Sequence, residues 1–338
     1  MKPNISVLMP AYNAGKYIGA SIDSILNQTA PDFEFIIIND GSADDTAQIV
    51  SRYNDPRIRY FENDGNLGIA KTYNRAIDMA RGEYLAIAES DDINHPRRLE
   101  ISRDYLAAHP EIDVMSGRLA TFQNKIPKFD RIGGVSVSAD WMAARCGPVF
   151  GELMTRHAAQ MMRASALEKH NARYETRYKI CCDLSLIMQL LPHVKMTTLK
   201  PRLTLYREHA ANTSGNLENL YAEANDLTNR YLKNQFGLDL DLAFWNAEAV
   251  SAEYFRTAVG KIRAIMDTVS AHAGYDSDVL RRCAGDAAYR IFRQLYNSGM
   301  SRQEIFDIYK ETAIIRHAQP AKIRRIYLKH FAGKLRLT

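Results

Sequence analysis

The chain has 338 residues, 46% hydrophobic and 25% charged, the balance of an ordinary globular protein long enough for one large domain or two. Its net charge is +5, but seven bases and no acid follow Glu311, so the basicity belongs to the C-terminal tail and the remainder is slightly acidic. That distribution argues against a nucleic-acid groove spread over the fold, and with no apolar run of about 18 residues neither a signal peptide nor a membrane span is expected.

Residues 5–9 read as a strand, broken by Pro10-Ala11-Tyr12-Asn13-Ala14-Gly15. A helix follows, with Ile18, Ile22, Ile25 and Leu26 on one face of a 3.6-residue period. Residues 33–38 are a near-continuous apolar run of the kind covered on both faces in parallel sheets, and they end at Asn39-Asp40-Gly41-Ser42. Asp44-Asp45-Thr46 starts a helix reaching Tyr53, and residues 58–61 form a third strand. The turn-rich loop Asn63-Asp64-Gly65-Asn66-Leu67-Gly68 leads into a helix over 69–80, striped by Ala70, Tyr73, Ala76, Ile77 and Ala80. A fourth strand, 84–88, stops at Glu89-Ser90-Asp91-Asp92, ahead of Pro96-Arg97-Arg98.

If the backbone stays extended through that acidic turn, Glu89 and Asp91 point the same way. Two converging carboxylates then suit Mg²⁺ or Mn²⁺ carrying a diphosphate, the alternative being a polar turn ahead of a helix. Four strand-then-helix units predict a parallel α/β sheet with right-handed crossovers, in which ligands bind outside the carboxyl ends of the strands. No glycine triplet follows the first strand and no Lys-Ser/Thr phosphate loop occurs, which disfavours an NAD enzyme or an ATPase.

Residues 119–150 are irregular, with Gly133-Gly134 and Gly147-Pro148, and are either acceptor loops or plain surface connection. A helix over 181–190 carries one lone carboxylate, Asp183, in its first turn. From 217 onward the pattern is helical, around 217–236, 245–266, 279–295 and 305–315. Cys146, Cys181, Cys182 and Cys283 follow neither zinc spacing nor a disulfide framework, which fits a reducing cytoplasm.

Residues 5 to about 214 resemble the family 2 glycosyltransferases with the GT-A nucleotide-sugar fold. The resemblance is carried by Ser6-Val7-Leu8-Met9-Pro10-Ala11-Tyr12-Asn13, by Asn39-Asp40-Gly41-Ser42-Ala43-Asp44-Asp45-Thr46, by Asn66-Leu67-Gly68-Ile69-Ala70-Lys71 with Asn74-Arg75-Ala76, and by the acidic turn with Pro96 and Leu99. It implies a mostly parallel central sheet flanked by helices. The catalytic domain would span 1–215, with a nucleotide-binding half to about 118 and an acceptor-binding half over 119–215, followed by a helical extension, 216–338, with the basic tail.

The activity implied is an inverting transfer of a single sugar from a nucleotide-diphosphate sugar, with UDP favoured, to a hydroxyl of a glycan or lipid-linked acceptor in surface polysaccharide or glycoconjugate synthesis. By the same resemblance Pro10, Ala11, Tyr12 and Asn13 wall the base and Asp40 accepts its imide N–H. Asn66, Lys71 and Arg75 lie in a nucleotide-contacting stretch, although Lys71 and Arg75 could equally be exposed helix-face residues. Glu89 and Ser90 face the donor, and Asp91 holds Mn²⁺ or Mg²⁺ against the diphosphate. Arg207 or His209 closes over it, the first on the diphosphate and the second in the metal shell. Asp183 is the implied base, with His157 and Glu152 on the acceptor side.

Two departures qualify the match: Glu89 stands where the family usually has Asp, and Cys182 where it has the first of an acidic pair. They keep open a weak or inactive nucleotide-sugar-binding protein. A nucleotidyltransferase, the other alternative, should carry a Gly-rich basic loop where Pro10-Ala11-Tyr12-Asn13 stands. The processive members' membrane helices and Gln-x-x-Arg-Trp motif are absent, which favours single-sugar transfer. In the tail, Ile323, Ile326, Tyr327 and Phe331 share one helical arc and Lys322, Arg325 and Lys329 the opposite one. Such a basic amphipathic helix would lie on the anionic inner face of the cell membrane or pack on the protein. Homodimer formation is left open.

Overall fold

The computed structural model describes residues 3–139, 141–150, 156–212, 215–241, 243, 250–295 and 300–318. Two compact units divide the chain, Met1–Ala144 with Met154–Gly215, and Arg145–Leu153 with Asn216–Thr338. Glu152, Trp245 and the tail segment 322–331 lie outside the described residues.

The first unit begins with β1 (Ile5–Ala11), α1 (Ile18–Leu26), β2 (Phe33–Asn39), α2 (Thr46–Val50), β3 (Ile58–Glu62), α3 (Ile69–Met79) and β4 (Tyr84–Ile87). Then follow β5 (Ile93–Asn94), α4 (Arg98–Ala108), β6 (Val114–Phe122), β7 (Val137–Ala139), α5 (Trp141–Val149), whose residues from Arg145 on belong to the second unit, β8 (Gln160–Arg163), α6 (Ala164–Lys169), α7 (Cys182–Leu190) and β9 (Met196–Arg207). The sheet order is β3-β2-β1-β4-β8-β6-β9-β5, with β7 paired to β9. The first four strands are mutually parallel, β8 is antiparallel to both β4 and β6, and β9 runs parallel to β6. This is the mixed α/β sheet flanked by helices of the GT-A fold.

Strands β1 and β2 are buried along their whole length, as their near-continuous apolar runs require, whereas β3 at the sheet edge is half-buried and less apolar. Strand β1 runs on through Pro10, two residues beyond its last pairing with β4 at Leu8↔Ile87. Proline is tolerated there because only the β2 side still pairs. Where β4 departs, the sheet opens at its carboxyl edge. The expected extension through the acidic segment does not occur: β4 ends at Ile87, Ser90 and Asp91 form a turn, and Ile93 re-enters the sheet as β5 against Leu205.

The second unit contains α8 (Leu217–Phe236), α9 (Ala252–Ser270), α10 (Ser277–Gln294) and α11 (Arg302–Glu311). Each start is fixed by a side-chain cap: Asn216, Ser251 and Asp276 accept first-turn N–H groups, and Ser301 with Glu304 makes a reciprocal capping box. Phe255, Ile262 and Ile265 of α9 and Leu280, Ala284, Ala288 and Phe292 of α10 supply its core. Gly285 lets the 3-10 turn Ala313–His317 lie against α10, since a Cβ there would stand 2.4 Å from Ala318 N. The four cysteines are buried, and no helix among the described residues is long and apolar enough to cross a membrane.

Candidate active site

The loops after β1, β2 and β3 meet at the carboxyl edge, and much of the polar sequence there joins one loop to another. Asn13, in the left-handed region at φ 48°, donates its N–H to Ser42 Oγ (2.9 Å) and accepts Ala43 N–H on Oδ1 (2.9 Å). Ala14 N–H reaches Thr46 Oγ1 (2.9 Å) and Gly15 N–H reaches Asp44 (2.8 Å). Burial would raise the Asp44 carboxyl, but its bonds with Thr46 and Gly15 prevail and lower it. Pro10 and Ala11 form a buried floor, while Tyr12 is 50% exposed and Asn13 is exposed.

Asp40 is buried and accepts the N–H groups of Leu67 (2.9 Å) and Gly68 (3.0 Å) and the Asn63 amide (2.6 Å), so it pins the third loop to the second. Gly41, at φ +71°, permits that approach: a Cβ would fall 2.6 Å from the Gly65 carbonyl carbon. Asn66 is exposed, its Oδ1 accepting Gly68 N–H at 3.0 Å. Lys71 is exposed, whereas the Arg75 guanidinium donates to Glu62 O (2.7 Å) and to the Asn63 side chain, bracing the loop.

Across the opening, the turn sends its carboxylates in different directions. Asp91 Oδ2 meets His209 Nε2 at 3.0 Å, and the His209 ring stacks on Tyr17 at 4.6 Å. Arg207 is buried between Tyr17 and Phe122, with its Cζ 4.7 and 4.5 Å from their ring centroids, and its Nε donates to Asp91 O at 2.9 Å. Its backbone N–H donates to Asp92 Oδ1 at 2.9 Å. Arg207 thus fastens β9 to the turn. Asp92 is fully buried, and burial followed by the charge of Asp91 pushes its carboxyl up to about 8. Beneath the turn lies Arg98, donating to Ile87 O and Gln160 O, with burial lowering it to about 10.

On the other side, Glu89 Oε1 meets both His157 Nδ1 (2.9 Å) and Tyr73 Oη (3.1 Å). His157 Nε2 lies 2.9 Å from Tyr174 Oη, so both ring nitrogens are engaged within the protein. Ser90 is half-buried between these branches. Burial opposes charge on His157, but Glu89 and Asp183 outweigh it and raise its pKa. Asp183, in the first turn of α7, accepts Leu184 N–H at 2.7 Å. Burial raises its carboxyl despite the opposing influence of His157. Cys182 is a buried thiol, pushed up by burial and then by Asp183.

The residues fit a substrate-bridged divalent cation better than a closed protein cage. No group of three His, Cys, Asp or Glu that could hold a metal occurs among the described residues, but Asp91 and His209 converge and Asp92 Oδ2 is buried without a hydrogen-bond partner. Two protein ligands would leave positions for diphosphate oxygens and water. An open cleft of about 520 Å³ adjoins His209, lined by Lys16, Tyr17, Gln123, Tyr206 and Glu208. Sequence reasoning did not single out Tyr17 or Tyr174, named Arg98 only as the end of the acidic stretch, and read Tyr73 as core; for Tyr17 the available signal was an aromatic residue just beyond the first loop motif, and for Tyr174 there was none.

Residues 6–170 match glycosyl transferase family 2. An uncharacterized glycosyltransferase of Methanocaldococcus jannaschii is 42% identical over 118 residues, 34% of this chain and 41% of that protein. Chondroitin synthase of Escherichia coli is 40% identical over 104 residues, 30% of this chain and 15% of that protein. The chain thus spans less than half the length of these relatives. Among solved structures, S. aureus TarS 1-349 in complex with UDP-GlcNAc aligns over 91% of this chain and 92% of that one, with a TM-score of 0.56 and 17% identity, a likeness of fold. Residues 6–170 are thus a glycosyl transferase family 2 domain, on a fold of the GT-A type.

Proposed function

We propose that this chain transfers one sugar from a UDP-sugar to a hydroxyl of a glycan or lipid-linked acceptor, inverting the anomeric carbon. The observation carrying this reading is the placement of Asp183, a single carboxylate at the start of α7, electrostatically coupled to His157 and Glu89 beside the acidic turn. Its raised pKa brings its basicity nearer the operating range of a general base. Asp183 removes the acceptor hydroxyl's proton, the hydroxyl oxygen bonds to the anomeric carbon, and the bond to the diphosphate breaks on the opposite face.

Tyr12 offers an exposed ring to the base. Asp91 and His209 would hold Mn²⁺ or Mg²⁺, which when bound neutralises charge developing on the leaving diphosphate. The nucleotide is supported by the UDP-GlcNAc bound to TarS, and a glycan acceptor by the relationship to a chondroitin synthase. The basic tail would hold the enzyme at an anionic membrane.

A thermal-shift panel of nucleotide sugars with and without Mn²⁺, followed by sugar-transfer assays on the binders, tests the reading. A ligand at 100 times its dissociation constant adds about 2.7 kcal/mol of stability. Metal-dependent stabilisation by UDP and one UDP-sugar is expected. Stabilisation by none, or by ATP or NAD instead, overturns it.

A further inference from the structure

His157 and Tyr174 lie outside the recognised donor motifs, yet they join the two halves of the site. The backbone of Tyr174 is gripped by α3: Asn74 Nδ2 donates to Tyr174 O and Asn74 Oδ1 accepts Tyr174 N–H, both at 2.9 Å. The flanking residues are gripped by α7, the helix bearing Asp183. Gln189 Nε2 donates to Arg173 O (2.8 Å), Gln189 Oε1 accepts Arg173 N–H (3.3 Å), and Ser185 Oγ accepts Glu175 N–H (3.0 Å).

The Tyr174 hydroxyl is thereby set against His157 Nε2, and the ring is kept in place by stacking on Tyr73 at 5.0 Å. His157 is 12% exposed at its side chain and Tyr174 is buried, so water competes little for these bonds. In the neutral tautomer with Nδ1 protonated and in the imidazolium alike, Nδ1 donates to the Glu89 carboxylate. Only the sense of the bond to Tyr174 differs between those states.

We propose that Tyr174 and His157 form a positioning relay for the transfer reaction, tying Glu89 of the donor turn to the helix that carries Asp183 and so holding donor and base in register. This rests on the transferase reading above. Neither residue touches the reacting atoms; the relay acts through Glu89 and α7. Glu89 is long enough to reach His157 at 2.9 Å, a contact the shorter Asp would not make from the same backbone.

The relay makes a kinetic split that a merely structural role would not. Tyr174→Phe removes one hydroxyl and keeps the stack, and His157→Asn keeps an N–H near the Nδ1 position; both cut the link to α7 and leave Glu89 its donor. Each should lower kcat about tenfold with donor KM within about twofold, and the double variant should be no slower than either single one. His157→Gln reaches the Nε2 position instead, releases Glu89, and should raise donor KM.

Long-range ¹H–¹⁵N spectra of histidine-labelled protein, with His157 assigned by its loss in His157→Asn, should show a protonated Nδ1 and an Nε2 resonance that moves in Tyr174→Phe. The relay is overturned by an unprotonated Nδ1, by an Nε2 resonance indifferent to Tyr174→Phe, or by wild-type kcat in that variant. Should His157→Asn fail to fold, Tyr174→Phe carries the kinetic arm. If the wild-type protein transfers no sugar from any nucleotide sugar, the transferase reading fails, and the spectra still decide whether the bonded pair exists.

Discussion

Replacing Asp183 by Asn should separate chemistry from binding and from folding. The substitution preserves shape and the acceptor for Leu184 N–H while removing the group that takes the proton. A positioned base contributes about 10²–10⁴-fold, so kcat should fall at least about a hundredfold, with UDP affinity unchanged. Stability should move the other way. The folded-state pKa of Asp183 is raised above its ordinary 3.8, chiefly by burial, so the folded protein holds this proton more tightly than the unfolded chain does. Its contribution is fully present below the unfolded pKa and is lost as pH rises through the folded one. Asn cannot ionise, so Asp183→Asn should melt higher than wild type at pH 8, with the advantage vanishing near pH 4. Initial rates of UDP release, UDP titration and melting curves at both pH values provide the measurements. Turnover within threefold of wild type would place the base elsewhere, and a lower melting temperature at pH 8 would refute the burial argument.

Asp91→Asn should abolish the effect of Mn²⁺ on UDP binding in a thermal-shift titration while leaving the apo melting temperature near that of wild type. Gly41→Ala should lower stability by about 1–3 kcal/mol in urea unfolding, because φ +71° and the Gly65 backbone both oppose a Cβ. In metal-free protein Asp92→Asn should flatten the fall in stability between about pH 4 and 8, since the folded carboxyl, raised to about 8, holds its proton through a range where the unfolded one has lost it. Removing residues 319–338, beyond the buried Ile314 and Ile315, should reduce co-sedimentation with anionic vesicles at low salt while UDP-sugar hydrolysis persists; a full-length protein that ignores such vesicles would end the membrane reading.

The sequence by itself determined the parallel α/β first half, because apolar runs, helical stripes and turn residues are local patterns: β1 to β4 stand within a few residues of where the pattern placed them, and their polar loops share one edge. The ordered motifs likewise pointed to the family that residues 6–170 match. The motifs did not distinguish ligand from scaffold. Ser42, Asp44 and Thr46 hold the first loop, Asp40 holds the third, and Arg207 fastens β9 to the acidic turn, all through partners distant in the chain. The turn at Ser90-Asp91 also belongs to tertiary structure: Ile93 is drawn into pairing with β9, which ends the extended backbone and parts Glu89 from Asp91. The meeting of Tyr174 with Asn74 spans 100 positions, and that of His157 with Glu89 spans 68. Neither residue's local pattern encodes its partner; only packing of α3, α7 and the sheet brings those groups within hydrogen-bond range and removes the water that would otherwise compete for them.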